Sequence, residues 1–237
     1  MERSEEPAML VEVARDIWIV EGENVRFVGI SYPTRMTVVR LRDGGLWIYS
    51  PIRSSRELRS ELESLGTPRC IVSPNKLHHL FLGEWAESWP EASLYAPPGL
   101  AKRRKDLVFH AELGDETDPA WAVDIDQVVF RGSFAMEEVV FFHRHSATLI
   151  VADLIQKFDP ATLPWPQRMV MKADGLVGKN GSTPREWRLS FWNRAATRKA
   201  LAKAIAWNPE RIVLAHGDWV RAGGREALRA SMRWLGP

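Results

Sequence analysis

Cysteine is almost absent: Cys70 is the single one among 237 residues. That excludes an internal disulfide and every zinc module built on clustered thiolates. The run Arg69-Cys70-Ile71-Val72 reads as a strand, where a lone thiol behaves as a small apolar side chain. No apolar stretch approaches the roughly 20 residues that cross a bilayer, so no membrane span is expected. The opening "MERSEEPAML" is charged and lacks the apolar segment of a secretory signal, and a cytoplasmic location is the expectation. Net charge is low as well. At +2 the chain carries no field suited to a polyanion, and "KRRK" (Lys102 to Lys105) reads as a solvated helix end, so no nucleic-acid partner is expected. Repeats and low-complexity tracts are missing, and "DGLVGKNGS" holds glycines and Lys179 without phosphate-loop spacing.

What is present suits a packed α/β chain, read as one domain over 1–237, since 45% of the residues are hydrophobic. "DIWIVEG", "MTVVRLRDGG" and "LWIYSPI" have the composition of short strands, with Asp43-Gly44-Gly45 as a hairpin turn. "SSRELRSELESLG" follows as a helix, with Ser54 or Ser55 as N-cap, Leu58, Leu62 and Leu65 on one face, and Gly66 as stop. "RCIVS" is again a strand, and strand, helix, strand implies a parallel crossover. "LHHLFLGEWAESW" is expected to be helical from near His78. "SLYAP", "DQVVFRG", "EEVVFFH" and "TLIVADLI" are further strands. The segment 159–193, rich in Pro, Gly and Trp, is a long excursion, and "ATRKALAKAIAW", "RIVLAHGD" and "GREALRASMRWL" close the chain as helix, strand and helix.

The chemistry falls to six histidines and a few carboxylates. His78 and His79 follow one strand, His143 and His145 end "EEVVFF", Asp153 closes "TLIVAD", and His216 closes "RIVLA". Open α/β sheets gather their sites where strand carboxyl ends meet, so these residues are expected to converge. Imidazole and carboxylate are the ligand set of zinc, iron or manganese, although a lone histidine at a strand end is more often structural, as expected for His110. Glu137 and Glu138 open a strand and are expected to be exposed. Asp124 and Asp126 flank Ile125 in the alternation of a half-buried strand.

Three stretches, "SPNKLHHLFLGEW", "FFHRHSATLIVADL" and "AHG", give the chain a resemblance that spans nearly its whole length. It resembles the metallo-β-lactamase superfamily, and more closely an uncharacterised family within it. The resemblance implies a four-layer αββα sandwich with its metals at one edge. The superfamily's Thr-His-x-His-x-Asp-His loop, laid with its last histidine on His79, puts His78 where the Asp stands and Lys76 and Pro74 on the two earlier histidines. His143 then matches the histidine of the third loop, with His145 the second candidate, Asp153 the bridging carboxylate, and His216 the final histidine. One metal position keeps only His143. The other keeps His79, Asp153 and His216, with His78 in place of its carboxylate. The resemblance therefore implies at most one divalent ion, on His78, His79, Asp153 and His216, with zinc first, iron or manganese next, and a metal-free site as the alternative.

Lys76 divides these outcomes, because an ammonium repels a cation by about 4 kcal/mol at 4 Å and intermediate dielectric. In one picture Lys76 pairs with Asp153 and replaces the metal's charge. In the other it turns away and the ion is held by the His/Asp set. His143 and Lys76 stand as the candidate catalytic residues, His143 as acid or base near neutral pH. The superfamily's usual substrates are lactams, thioesters, phosphodiesters and phosphonates, and nothing in the sequence chooses among them. Two functions stay open: a mononuclear hydrolase of a small molecule, or a metal-free relative that binds a ligand or partner in the same pocket. Trp165, Trp187 and Trp192 either cap that pocket or cover core.

Overall fold

Strands buried on both faces alternate their side chains between two different cores, and this alternation builds the layers. The computed structural model describes residues 10–27 and 29–236, and the opening segment behind the cytoplasmic expectation lies largely outside them. One sheet runs in chain order through β1 (Val11–Ala14), β2 (Ile17–Phe27), β3 (Ile30–Arg40), β4 (Gly45–Tyr49), β5 (Thr67–Val72), β6 (Ser93–Ala96) and β7 (Ala111–Glu112). Its first four strands form an antiparallel meander, and β4 to β7 are parallel. The second sheet comprises β8 (Ile125–Phe130), β9 (Glu138–His143), β10 (Thr148–Val151) and β11 (Arg211–Leu214), in spatial order β11-β10-β9-β8. Here β8, β9 and β10 are antiparallel, and β11 lies parallel to β10.

Trp47 and Tyr49 of β4 face Val139 and Phe141 of β9 in the core between the sheets. Their neighbours Leu46 and Ile48 face outward, under α1 (Arg56–Leu65) and α2 (Leu82–Ser88), where Leu58, Leu62 and Trp85 cover them. Val140 and Phe142 face outward on the other side, under α5 (Arg194–Ala206) and α6 (Gly224–Ser231), against Ala200, Ala204 and Leu228. The result is a four-layer αββα sandwich, the fold class expected from the sequence. No helix among the described residues is long and apolar enough to cross a membrane.

Local chemistry fixes the elements. Ser55, rather than Ser54, caps α1 by accepting the N–H of Leu58 at 3.1 Å. Gly44 takes φ +86° in the β3–β4 turn, a conformation that favours glycine, while Asp43 Oδ1 accepts the Gly45 N–H at 2.9 Å.

The helix expected from near His78 begins only at Leu82. The Ser73 hydroxyl lies within hydrogen-bond reach of the carbonyls of His78 (2.8 Å) and Asn75 (3.0 Å), and Asn75 Oδ1 accepts the Leu77 N–H at 2.8 Å. These side-chain bonds offer the backbone an alternative to helix. The excursion 159–193 carries two short helices, α3 (Trp165–Ala173) and α4 (Arg185–Leu189). Of its tryptophans only Trp187 covers core; Trp165 and Trp192 are 71% and 83% exposed.

Candidate metal centre

Parallel strands deliver their carboxyl ends to the same edge, and four of them meet here. Ser50 follows β4, Asn75 and His78 follow β5, Asp153 follows β10, and His216 follows β11. The two sheets thus contribute facing halves of one site. His78, Asp153 and His216 each offer a ligand atom, and these atoms lie within 4.8 Å of one another.

Asp153 is the centre. Its Oδ1 faces His216 Nε2 at 3.2 Å and accepts from Gln156 Nε2 at 3.1 Å, while its Oδ2 faces His78 Nε2 at 3.2 Å and accepts from Asn75 Nδ2 at 2.9 Å. Burial works against its charge, but the two imidazoles outweigh it and hold the carboxyl well below the usual carboxylate range. On His216 burial disfavours the cation, yet the Asp153 hydrogen bond and charge raise its pKa.

Each ring is anchored from behind. His216 Nδ1 donates to the Pro33 carbonyl at 2.6 Å, which fixes the tautomer, and His78 Nδ1 meets Ser50 Oγ at 2.6 Å. Ser50 reaches it from a left-handed backbone conformation, φ 52°, uncommon for a serine and found at sites where a side chain must be aimed. An outer hydrogen bond on one ring nitrogen, with the other aimed at a shared point, is the arrangement by which proteins orient histidine ligands. The residues fit one ion. Among the described residues, Gln156 Oε1 is also a buried acceptor with no donor.

Glu138 supports the centre from beneath and corrects the expectation that it is exposed. It is 0% exposed, and its carboxylate accepts the backbone N–H groups of Ala152 (2.9 Å), Asp153 (2.8 Å) and Leu154 (3.1 Å) and the Asn75 amide (3.0 Å). Burial first, then the charge of Asp153, raises its pKa, and the donors from Ala152, Asn75 and Asp153 oppose that rise by favouring the carboxylate.

His143 is not brought to this edge. In the antiparallel β9–β10 pair, His143 lies opposite Thr148, while Glu138, at the start of β9, lies beside Asp153. His143 lies five residue steps along the strand from Glu138, about 17 Å at 3.4 Å per residue. In an antiparallel strand it is the beginning, not the end, that reaches the edge where its parallel neighbours finish. His143 Nδ1 instead bonds Ser146 Oγ at 2.8 Å, and burial lowers its pKa to about 4. The hairpin spacing in "EEVVFFHRHSATLIVAD" carries the signal: pairing His143 with Thr148 puts the glutamates beside Asp153.

His79 lines the cavity but stands outside the cluster. Arg104 Nη1 donates to its carbonyl at 2.6 Å and faces its Nδ1 at 3.2 Å. A guanidinium only donates, so Nδ1 is the acceptor and Nε2 carries the proton. Burial and then the Arg104 charge lower its pKa. Lys76 also lines the cavity, and among the described residues it forms no ion pair with Asp153. In place of the ion pair expected of a lysine-plugged site, Asp153 accepts from the amides of Asn75 and Gln156 and faces the two imidazoles.

These residues floor a cavity of about 540 Å³ walled by Tyr32, Phe81, Met136 and Trp187. Tyr32 meets the His216 ring edge-on, with centroids 5.8 Å apart.

Solved structures share this architecture. The DIM-1 metallo-β-lactamase exposed to ceftazidime superposes with a TM-score of 0.66 at 16% identity, over 97% of this chain and 98% of that one. A metallo-β-lactamase from Pontibacter korlensis gives 0.64 at 12% identity, over 96% and 98%. The metal-soaked Flv1 flavodiiron core from Synechocystis sp. PCC6803 gives 0.64 at 13% identity, over 96% of this chain and 60% of that one. Likeness at this identity establishes the metallo-β-lactamase fold and no activity. No curated protein matches the sequence. A family described as a domain of unknown function, DUF4336, matches residues 14–197, and the chain belongs to that family.

Proposed function

We propose that this protein is a hydrolase of small molecules that works with one divalent ion held by His78, Asp153 and His216. The observation that supports this most is the pair of imidazoles aimed through Nε2 at the two oxygens of one carboxylate, each anchored on Nδ1. Two nitrogens and a carboxylate suit zinc, with iron or manganese as further occupants. When bound, such an ion supplies Lewis acidity for hydrolysis. The chain's own groups do the rest. Glu138 and Asn75 hold Asp153 in place, Ser50 and the Pro33 carbonyl fix the rings, and Tyr32, Phe81 and Trp187 supply apolar wall beside them.

A second reading, a metal-free binding protein, is supported by the crowding of Asp153, whose two oxygens each accept one amide N–H and each face one imidazole. Turnover of a lactam, a thioester and a phosphodiester separates the two. Hydrolysis that requires added zinc and is lost in Asp153→Asn supports the enzyme. Equal rates in chelated and zinc-loaded protein contradict it.

A further inference from the structure

Lys76 is the one charged side chain of the cavity floor loop whose role the metal centre does not absorb. It is half-buried, it lines the cavity, and among the described residues it has neither a carboxylate within 4 Å nor a hydrogen-bond acceptor. Its stem is seated rather than loose. Gly99 stands in the left-handed region at φ +78°, and a Cβ there would lie 3.0 Å from Lys76 Cε and 3.2 Å from its Nζ. A side chain at position 99 would take the lysine's berth, and the glycine leaves it open.

The surrounding charge points the same way. Arg26 and Arg103 lie on the rim of the same cavity, exposed, and neither forms an ion pair among the described residues. Two acids also line it. Asp153 has both oxygens occupied by amide donors, and burial first, then the neighbouring Asp174 carboxyl, raises the pKa of Glu186. Three cations (Arg26, Lys76, Arg103) and two acids (Asp153, Glu186) therefore line the cavity, a formal balance of +1, beside aromatic and thioether walls.

We propose that the cavity is an anion-selective pocket: it takes a small amphiphilic molecule whose carboxylate or phosphate is held by Lys76, with Arg103 at the rim and the apolar body against Phe81, Met136 and Trp187. This rests on the cavity being the substrate or ligand pocket, as in the function proposed above, but not on the ion. A half-buried ammonium without a partner is where a charge-assisted hydrogen bond to an oxyanion gains most. Point charge rather than bidentate geometry suits either acid, so the two are distinguished by measurement.

The test is calorimetric binding at low salt of phenylacetate, phenyl phosphate and the uncharged phenylacetamide, on chelated and on zinc-loaded protein. The variants are Lys76→Met, which keeps the apolar stem, and Arg103→Ala. At least one acid should bind the chelated protein at least tenfold tighter than the amide. Lys76→Met should lose tenfold or more of that preference with its melting temperature unchanged, and Arg103→Ala two- to threefold. Which acid binds tighter identifies the group. Amide binding equal to both acids, acid binding unaffected by Lys76→Met, or no acid binding at millimolar concentration overturns the proposal. Acid binding seen only with zinc and indifferent to Lys76 also overturns it, because the acid would then be a ligand of the ion. Anion binding with no metal uptake would refute the hydrolase and leave this pocket standing.

Discussion

Glu138 accepts the backbone N–H of Asp153 at 2.8 Å. The acid at the start of β9 thereby fixes the strand end that carries the central carboxylate, and two further backbone donors and Asn75 complete its shell. Glu138→Gln keeps the volume but turns an amide N–H against backbone N–H groups. Leaving such a buried donor unsatisfied should cost about 1–3 kcal/mol in urea unfolding. Zinc affinity should fall about 10–100-fold, as for other outer partners of a ligand. A variant within about 0.5 kcal/mol of the parent would show that the shell can rearrange.

The cluster geometry separates the adjacent histidines. His78→Ala should abolish zinc uptake, whereas His79→Ala should retain it, since the His79 ring is committed to Arg104. Elemental analysis after dialysis reads both. Loss of metal in His79→Ala would return that residue to the ligand set.

Lys76 bears no ion pair to Asp153, so Lys76→Ala should change stability by about 0.5 kcal/mol or less. A thermal melt decides it. A loss of about 3–5 kcal/mol would mean a buried pair with the carboxylate after all.

His143 titrates away from the site. Its folded-state pKa is about 4, below the ordinary histidine value, because burial disfavours the imidazolium. Between pH 6.5 and 4 the unfolded chain binds the proton and the folded chain does not. Stability contributed by the neutral ring is therefore present above pH 6.5 and is lost as pH falls toward 4, by a few kcal/mol at most. His143→Asn should flatten that part of the stability–pH curve. An unchanged slope would place the titration elsewhere.

The sandwich was legible in the sequence because its strands are short apolar runs in a fixed order. Asp153 and His216 were legible because both close parallel strands. His143 was misplaced by the same rule applied to an antiparallel strand, where the residue at the edge is Glu138. His79 stands outside the cluster, its ring meeting Arg104 twenty-five positions along, and no local pattern reveals that contact. Asn75, Ser50 and Gln156 left no signal, since polar residues after a strand look like any turn until their partners are in place.

The central claim is one ion on His78, Asp153 and His216. Elemental analysis of protein purified without an affinity tag, paired with melts with and without chelator, tests it most directly. About one metal per chain, lost in His216→Ala, with a melt that drops on chelation only in the parent, is the predicted result. Two tightly held metals per chain, or a metal-free parent whose melt ignores both chelator and added zinc, would contradict it.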